Sequence, residues 1–189
     1  MAIHESTPLL TYEDYLHFPE DGQRHEILGG EHFVTAAPFL RHQKLSALLT
    51  YYFVAALRSN RVGEIFAAPT DVLLSPHDIV QPDLVYVSSQ RVSVAEDKNL
   101  QGAPDLVIEI LSASTRRLDE GLKLRAYERF GVREYWIFDP EAKTAQVWER
   151  TGEVLHRKAQ FSAAAGDILM TPLLPGLEIP LAEVFGEEE

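Results

Sequence analysis

Apolar positions change period several times along the chain, and each change marks an element. Thr11-Tyr12-Glu13-Asp14 has the spacing of a capping box and predicts a short helix through Leu16 and Phe18, ended near Pro19 and Gly22. Arg24 to Leu28 and Glu31 to Val34 read as strands, and the Gly29-Gly30 pair between them is a two-residue hairpin signal. Leu45, Leu48, Leu49, Tyr52, Phe53, Ala56 and Leu57 then recur at helical spacing, which predicts an amphipathic helix over 40–59. From Ile65 the pattern is β-like. Phe66 to Leu74, Leu84 to Val87 and Leu106 to Leu111 are strand candidates bounded by Pro, Asp, Ser and Gly clusters. Leu118 to Phe130 is helical and stops at Gly131; Glu134 to Phe138 is a strand stopped by Asp139-Pro140. Gln146 to Glu149 pairs with that strand across a turn, and the remainder reads as loop with a last short helix at Leu181 to Phe185.

The order is a hairpin, a helix, three strands, a helix and two strands. That alternation is too irregular for a doubly wound sheet, so the expected class is α/β with a mixed sheet flanked by helices. No Pro/Gly/Ser linker separates two cores, so residues 1–186 read as one domain, with 187–189 a frayed acidic tail. Composition agrees: 189 residues, 46% hydrophobic and 24% charged, exclude a disordered, collagen-like or coiled-coil chain. With no cysteine, disulfides and thiolate metal sites are excluded. The first residues lack the segments of a signal peptide, and the longest apolar run, Tyr51 to Leu57, is far short of a membrane span. A soluble cytoplasmic protein without a membrane partner is expected. The net charge of −12 argues against holding nucleic acid by a broad basic surface. Any such contact must come from a local patch and bound metal.

Several familiar sites are missing. There is no GxGxxG, Walker-type loop or GxSxG, and His25, Glu26 and His32 have the wrong spacing for a zincin helix. What remains is carboxylates on strands. Glu109 interrupts the apolar run Leu106 to Leu111, where an ionised carboxylate is costly unless it meets a cation or donor. Asp83 opens the preceding strand; if the two strands are adjacent and antiparallel, both acids can converge on one hard cation. On the next helix, Leu122, Ala126 and Phe130 form the expected buried stripe, with Lys123 at its edge and Asp119 inside it. Lys123 can reach over the sheet toward metal-bound water or phosphate; the plainer reading is an i, i+4 pair with Asp119. Glu26 shares a hairpin face with Leu28 and Phe33, half buried, either functional or bonded to Arg24 or backbone. His42 extends the inward face of the first long helix, where a histidine is more often a core residue than a ligand. Asp105 reads as a solvated strand start. Arg116, Arg117, Lys123, Arg125, Arg129 and Arg133 make the one locally basic segment, equally explained by a solvated helix face.

Taken together, Pro82-Asp83, Glu109 in an apolar strand and a helical Lys123 resemble the PD-(D/E)XK nuclease superfamily, and within it the Uma-two branch of restriction-endonuclease-like proteins. The resemblance extends over Thr11-Tyr12-Glu13-Asp14-Tyr15, His25 to Glu31, Arg41-His42-Gln43 and Pro104 to Ser112. Its most specific piece is Gly131-Val132-Arg133-Glu134-Tyr135-Trp136-Ile137-Phe138-Asp139-Pro140. It implies a restriction-endonuclease-like core, Mg²⁺ (or Mn²⁺) on Asp83 and Glu109, and Lys123 near the attacking water. The superfamily's lysine two residues after the glutamate is Leu111 here, and a helix lysine can take over that role. Glu26 also matches a family position and is a further catalytic candidate. His42, which matches too, stands with Asp119, Arg116 and Arg117 as a possible substrate or supporting residue. The expected activity is metal-dependent endonuclease cleavage of nucleic acid, with DNA as the expected substrate and a homodimer as one possible assembly. The alternative is a nuclease-fold binding or regulatory module without activity.

Overall fold

The computed structural model describes residues 8–37 and 39–186; the acidic tail expected at 187–189 lies outside them. Helix α1 (Tyr12–Tyr15) opens with the predicted capping box, in which the Asp14 N–H donates to the Thr11 hydroxyl and the Thr11 N–H donates to the Asp14 carboxylate. It ends sooner than the sequence suggests. Strands β1 (Arg24–Leu28) and β2 (Glu31–Thr35) pair with Leu28 opposite Glu31 and Glu26 opposite Phe33. Gly29 and Gly30 between them sit at φ of 59° and 79°, as a two-residue turn requires. Helix α2 (Leu40–Ser59) buries His42, Leu45, Leu49 and Phe53 on its inner stripe.

The middle of the chain supplies β3 (Gly63–Ala67), β4 (Val72–Ser75), β5 (Asp78–Val80), β6 (Leu84–Ser88), β7 (Leu100–Gln101) and β8 (Leu106–Ile110). The single strand expected from Phe66 to Leu74 is therefore two. Pro69 has no N–H for a ladder, and the Thr70 hydroxyl donates to the Ala67 carbonyl at 2.8 Å, turning the chain between them. A π-wound turn at Leu118–Lys123 runs into α3 (Leu124–Phe130), which Gly131 closes at φ 90°. Then follow β9 (Glu134–Asp139), β10 (Thr144–Thr151), β11 (Val154–Ser162), β12 (Ile168–Leu169), β13 (Ile179–Pro180) and α4 (Leu181–Phe185). Strand β11 falls where loop was expected. It is an edge strand paired along its length with β10 and leaves most of its side chains in or near solvent, so it has little apolar alternation to read.

Two principal sheets result, one ordered β11-β10-β9-β8-β6-β3 and the other β2-β1-β5-β4-β7, beside the small β12-β13 pair. The break at Pro69 is the point where the chain leaves the first sheet for the second. Alternation sorts the larger sheet into two faces. Leu84, Tyr86, Ile108, Trp136 and Phe138 pack against α2 and the C-terminal segment. Val85, Val87, Val107, Tyr135 and Ile137 pack against α3 and the smaller sheet. Strands β8 and β9 are parallel and joined through α3, while β6 and β8 are antiparallel, so the sheet is mixed as expected. Among the described residues, no helix is long and apolar enough to cross a membrane.

Two side-chain expectations need correction. The helical stripe is not Leu122, Ala126 and Phe130: Leu122 is 39% exposed, and the buried positions are Asp119, Lys123, Ala126 and Tyr127. A π turn carries more residues than an α turn, so a wheel advanced at the α-helical angle is out of phase over 118–123. Asp105 is not a solvated strand start but fully buried. It accepts the Ser88 N–H at 2.8 Å and faces Arg133 at 3.2 Å and Arg91 at 3.4 Å. Burial alone would raise its carboxyl, but the Ser88 bonds and the guanidinium charges hold it below the usual value.

Candidate functional site

The pairing of β6 with β8 sets the site. Leu84 lies opposite Ile108, so Asp83, one step outward, faces Glu109, and both project from the face that packs on α3. The condition posed by the sequence, adjacent antiparallel strands, is met. Asp83 is buried and fully engaged: Arg24 Nη2 donates to Oδ1 at 2.9 Å, the Ile110 N–H donates to Oδ2 at 2.7 Å, and His42 Nε2 lies 3.1 Å from Oδ2. Burial works to raise this carboxyl, yet the His42 bond and the Arg24 charge outweigh it and lower it to about 2.

Glu109 is in the opposite condition. It is 1% exposed, and Lys123 Nζ and the Tyr127 hydroxyl both donate to its Oε1, at 2.9 and 2.8 Å. Burial pushes it up to about 8; Lys123 opposes that, while the charges of Asp119, Asp83 and Glu26 add to it. Lys123 is itself 2% exposed, 2.8 Å from Glu26 Oε1 and 3.6 Å from Asp119 Oδ1. Burial disfavours its charge, but Glu109, Glu26 and Asp119 outweigh that and raise its pKa, so it is a fixed cation. Asp119 is raised by burial to about 6, against the pull of Lys123, and its Oδ1 has no hydrogen-bond partner.

Glu26 reaches this cluster from the smaller sheet. It is buried, not half buried: β1 runs beside β5 within the sheet, and the Gln81 N–H donates to its Oε1 at 2.7 Å. Its expected partner Arg24 goes to Asp83 instead. Arg24 and Glu26 are two residues apart on one strand and so share a face, which is the sequence signal that could have placed Arg24 in the site. Tyr127, four residues beyond Lys123, is likewise a site residue that hydrophobic patterning absorbed into the core. Arg116 and Arg117 are not brought here: Arg116 pairs with Asp139 at 2.8 Å, Arg117 is exposed, and neither lines the pocket.

The cluster opens into a cavity of about 360 Å³ lined by Arg24, Glu26, Asp83, Glu109, Asp119 and Lys123 among others, with Phe39 at its edge. Four buried carboxylates face two fixed cations, a deficit of positive charge that adds to the burial holding Glu109 and Asp119 high. An all-oxygen donor set with that deficit suits a hard divalent cation in chemistry and charge. Arg24 and Lys123 stand on the carboxylate oxygens, and among the described residues no three His, Asp or Glu side chains are arranged to hold a metal ion together.

The opposed acids on neighbouring antiparallel strands, with a lysine from the following helix on Glu109, lie in a mixed α/β fold with a restriction-endonuclease-like core. The chain belongs to the Uma2 family, whose model, described as "Putative restriction endonuclease", matches residues 12–182. It is similar in fold to a solved protein from Anabaena variabilis ATCC 29413, described as "a putative nuclease belonging to DUF820". That similarity has a TM-score of 0.78 at 18% identity, over 93% of this chain and 97% of the other. No curated protein matches the sequence.

Proposed function

We propose that this protein is a metal-dependent endonuclease that hydrolyses phosphodiester bonds in DNA, with Asp83 and Glu109 as ligands of Mg²⁺ or Mn²⁺. The observation that carries this reading is the opposition of two buried carboxylates, one held low and one held high, beside a lysine kept charged by its neighbours. A divalent ion bound there supplies charge neutralisation and a more acidic water. A bound cation would favour the ionised form of Glu109, which burial disfavours, while Asp83 is held ionised by its neighbours. Lys123, held protonated, is no general base; it is a positive charge beside the attacking water that favours hydroxide and the charge building on the phosphate. Glu26 and Asp119 keep that charge in place, and His42 orients Asp83.

The test is cleavage of labelled single- and double-stranded DNA and RNA at low salt with Mg²⁺, Mn²⁺ or EDTA, with Asp83→Ala and Glu109→Ala run beside the wild type. Metal-dependent cutting of DNA lost in both variants is expected. Cutting that survives in them would remove Asp83 and Glu109 from the role. A second reading, a nuclease-fold binding module without activity, draws support from Arg24 standing on Asp83 Oδ1. It predicts no Mn²⁺ binding by calorimetry, whereas the nuclease reading predicts binding that both substitutions abolish.

A further inference from the structure

A second, larger cavity of about 610 Å³ lies on the other side of Asp83. Arg24, His42 and Asp83 line both cavities, so the two meet at that wall. Beyond the wall the chemistry changes. No other charged residue lines the larger cavity; it presents the amide of Gln43 and the hydroxyl of Ser46, with Thr50, whose hydroxyl donates to the Ser46 carbonyl, Gln23, whose amide donates to Asp21, and the small apolar surfaces of alanines and Pro69. Gln43, Ser46, Ala47 and Thr50 recur at i, i+3, i+4 and i+7, so one side of α2 forms a whole wall of the cavity.

Beyond the Arg24 wall such a lining gives a string of phosphates no cation, but it suits a neutral heterocycle: polar side chains for its edge, small apolar groups for its faces. The volume is in the range of cavities that enclose one small organic ligand. At the junction Arg24 offers a guanidinium, whose planar donor fork matches a phosphate. We infer that the larger cavity is a nucleoside subsite. It holds one unpaired nucleoside of the substrate strand beside the phosphodiester presented to Asp83 and Glu109, with Arg24 on the linking phosphate. The inference rests on the nuclease reading and narrows it: a base inside a duplex must leave its stack to enter, so a single strand binds better than the same sequence paired.

The experiment measures fluorescence anisotropy of a labelled single-stranded DNA of about ten nucleotides, within the site sizes typical of single-strand binders, and of its duplex. The full chain is titrated as wild type, as Ala47→Trp, which fills the cavity from the exposed side of α2, and as Ala55→Trp, an equal change on exposed α2 outside it. The expected result is tighter binding of the strand than of the duplex, weakened at least tenfold by Ala47→Trp and not by Ala55→Trp. Mn²⁺ affinity by calorimetry should stay at the wild-type value in Ala47→Trp. Should that variant fail to melt cooperatively, Gln43→Ala carries the test, with at least threefold weaker strand binding. Equal strand affinity in wild type and plugged protein, duplex binding as tight as strand binding, or loss of Mn²⁺ along with the strand would each overturn the subsite. Hydrolysis of bis(p-nitrophenyl) phosphate by wild type with Mn²⁺ is read in parallel. Its absence together with the expected binding pattern sinks the nuclease reading and leaves the subsite standing.

Discussion

Lys123 decides the charge balance of the cluster. It is the cation shared by Glu26, Glu109 and Asp119, and Lys123→Met leaves all three buried with less compensation. Breaking a buried charge arrangement from one side typically costs about 3–5 kcal/mol. Urea unfolding of Lys123→Met near neutral pH should show a loss of that order; a loss under about 1 kcal/mol would mean that water reaches the cluster or that its acids neutralise by taking up protons. Asp105 offers a pH test away from the site. Its carboxyl is held below its ordinary value, so the folded state binds its proton less readily than the unfolded chain. The stabilisation is thus complete above the unfolded value, about 4, and is lost as pH falls through the lower folded value. Asp105→Asn should lower stability at pH 7 and flatten the acid limb of the stability–pH curve; a parallel acid limb would remove Asp105 as its source. Glu109 was legible as a charge inside an apolar run, Asp83 as the acid that opens the neighbouring strand, and Lys123 as a cation at the edge of a helical stripe. Arg24 and Tyr127 were not, because an arginine at a strand start and a tyrosine on a helix stripe each have an ordinary explanation.

At the scale of elements, punctuation was legible and winding was not. The hairpin from Arg24 and α2 up to Ser59 follow from glycine placement and helical period, and both lie where the sequence predicts them. The π turn left no such mark. It widens the helix by a fraction of a turn, which no single residue between Leu118 and Lys123 announces, yet it delivers both Asp119 and Lys123 to the cluster while turning Leu122 outward. Two glycines separate conformational from steric demands. Gly131 ends α3 at φ 90° with open space around it, so Gly131→Ala pays in backbone conformation alone, about 1–2 kcal/mol. Gly63 has an ordinary φ, but a Cβ there would lie 2.6 Å from the Tyr86 ring and against the Val87 carbonyl. Gly63→Ala should therefore push β3 off β6, with a loss of stability that deepens in Gly63→Val, whereas Gly131→Asn should recover part of the Gly131→Ala loss. Thermal melts of the four variants check both orders.

For the whole molecule the question is how a chain of net charge −12 would approach the nucleic acid proposed as its substrate. The second sheet, which the sequence did not reveal as a separate layer because its strands are short and interleaved with those of the first, supplies Glu26 and Arg24 to the cleft. Half of the locally basic segment is held by acids: Lys123 lies among them, Arg116 on Asp139 and Arg133 on Asp105. Arg24 is the one guanidinium at the junction of the two cavities, and it too stands on an acid, Asp83, with its remaining N–H groups as the donors a phosphate could meet. Counterion release scales with the phosphates a protein neutralises, at about −0.7 in log–log slope per contact for a single strand. One or two such contacts give a slope of about −1, against −5 or steeper for a basic groove. Strand affinity measured across a range of KCl at fixed Mn²⁺ should follow the shallow line. A slope steeper than about −3 would place the polyanion on a different surface, of which the exposed Arg117, Arg125 and Arg129 beside α3 are the first to substitute. On the proposed reading, affinity for a nucleic acid would be weak, shallow in salt and dependent on the divalent ion, because a bound cation would supply positive charge where four buried carboxylates outnumber the cations beside them.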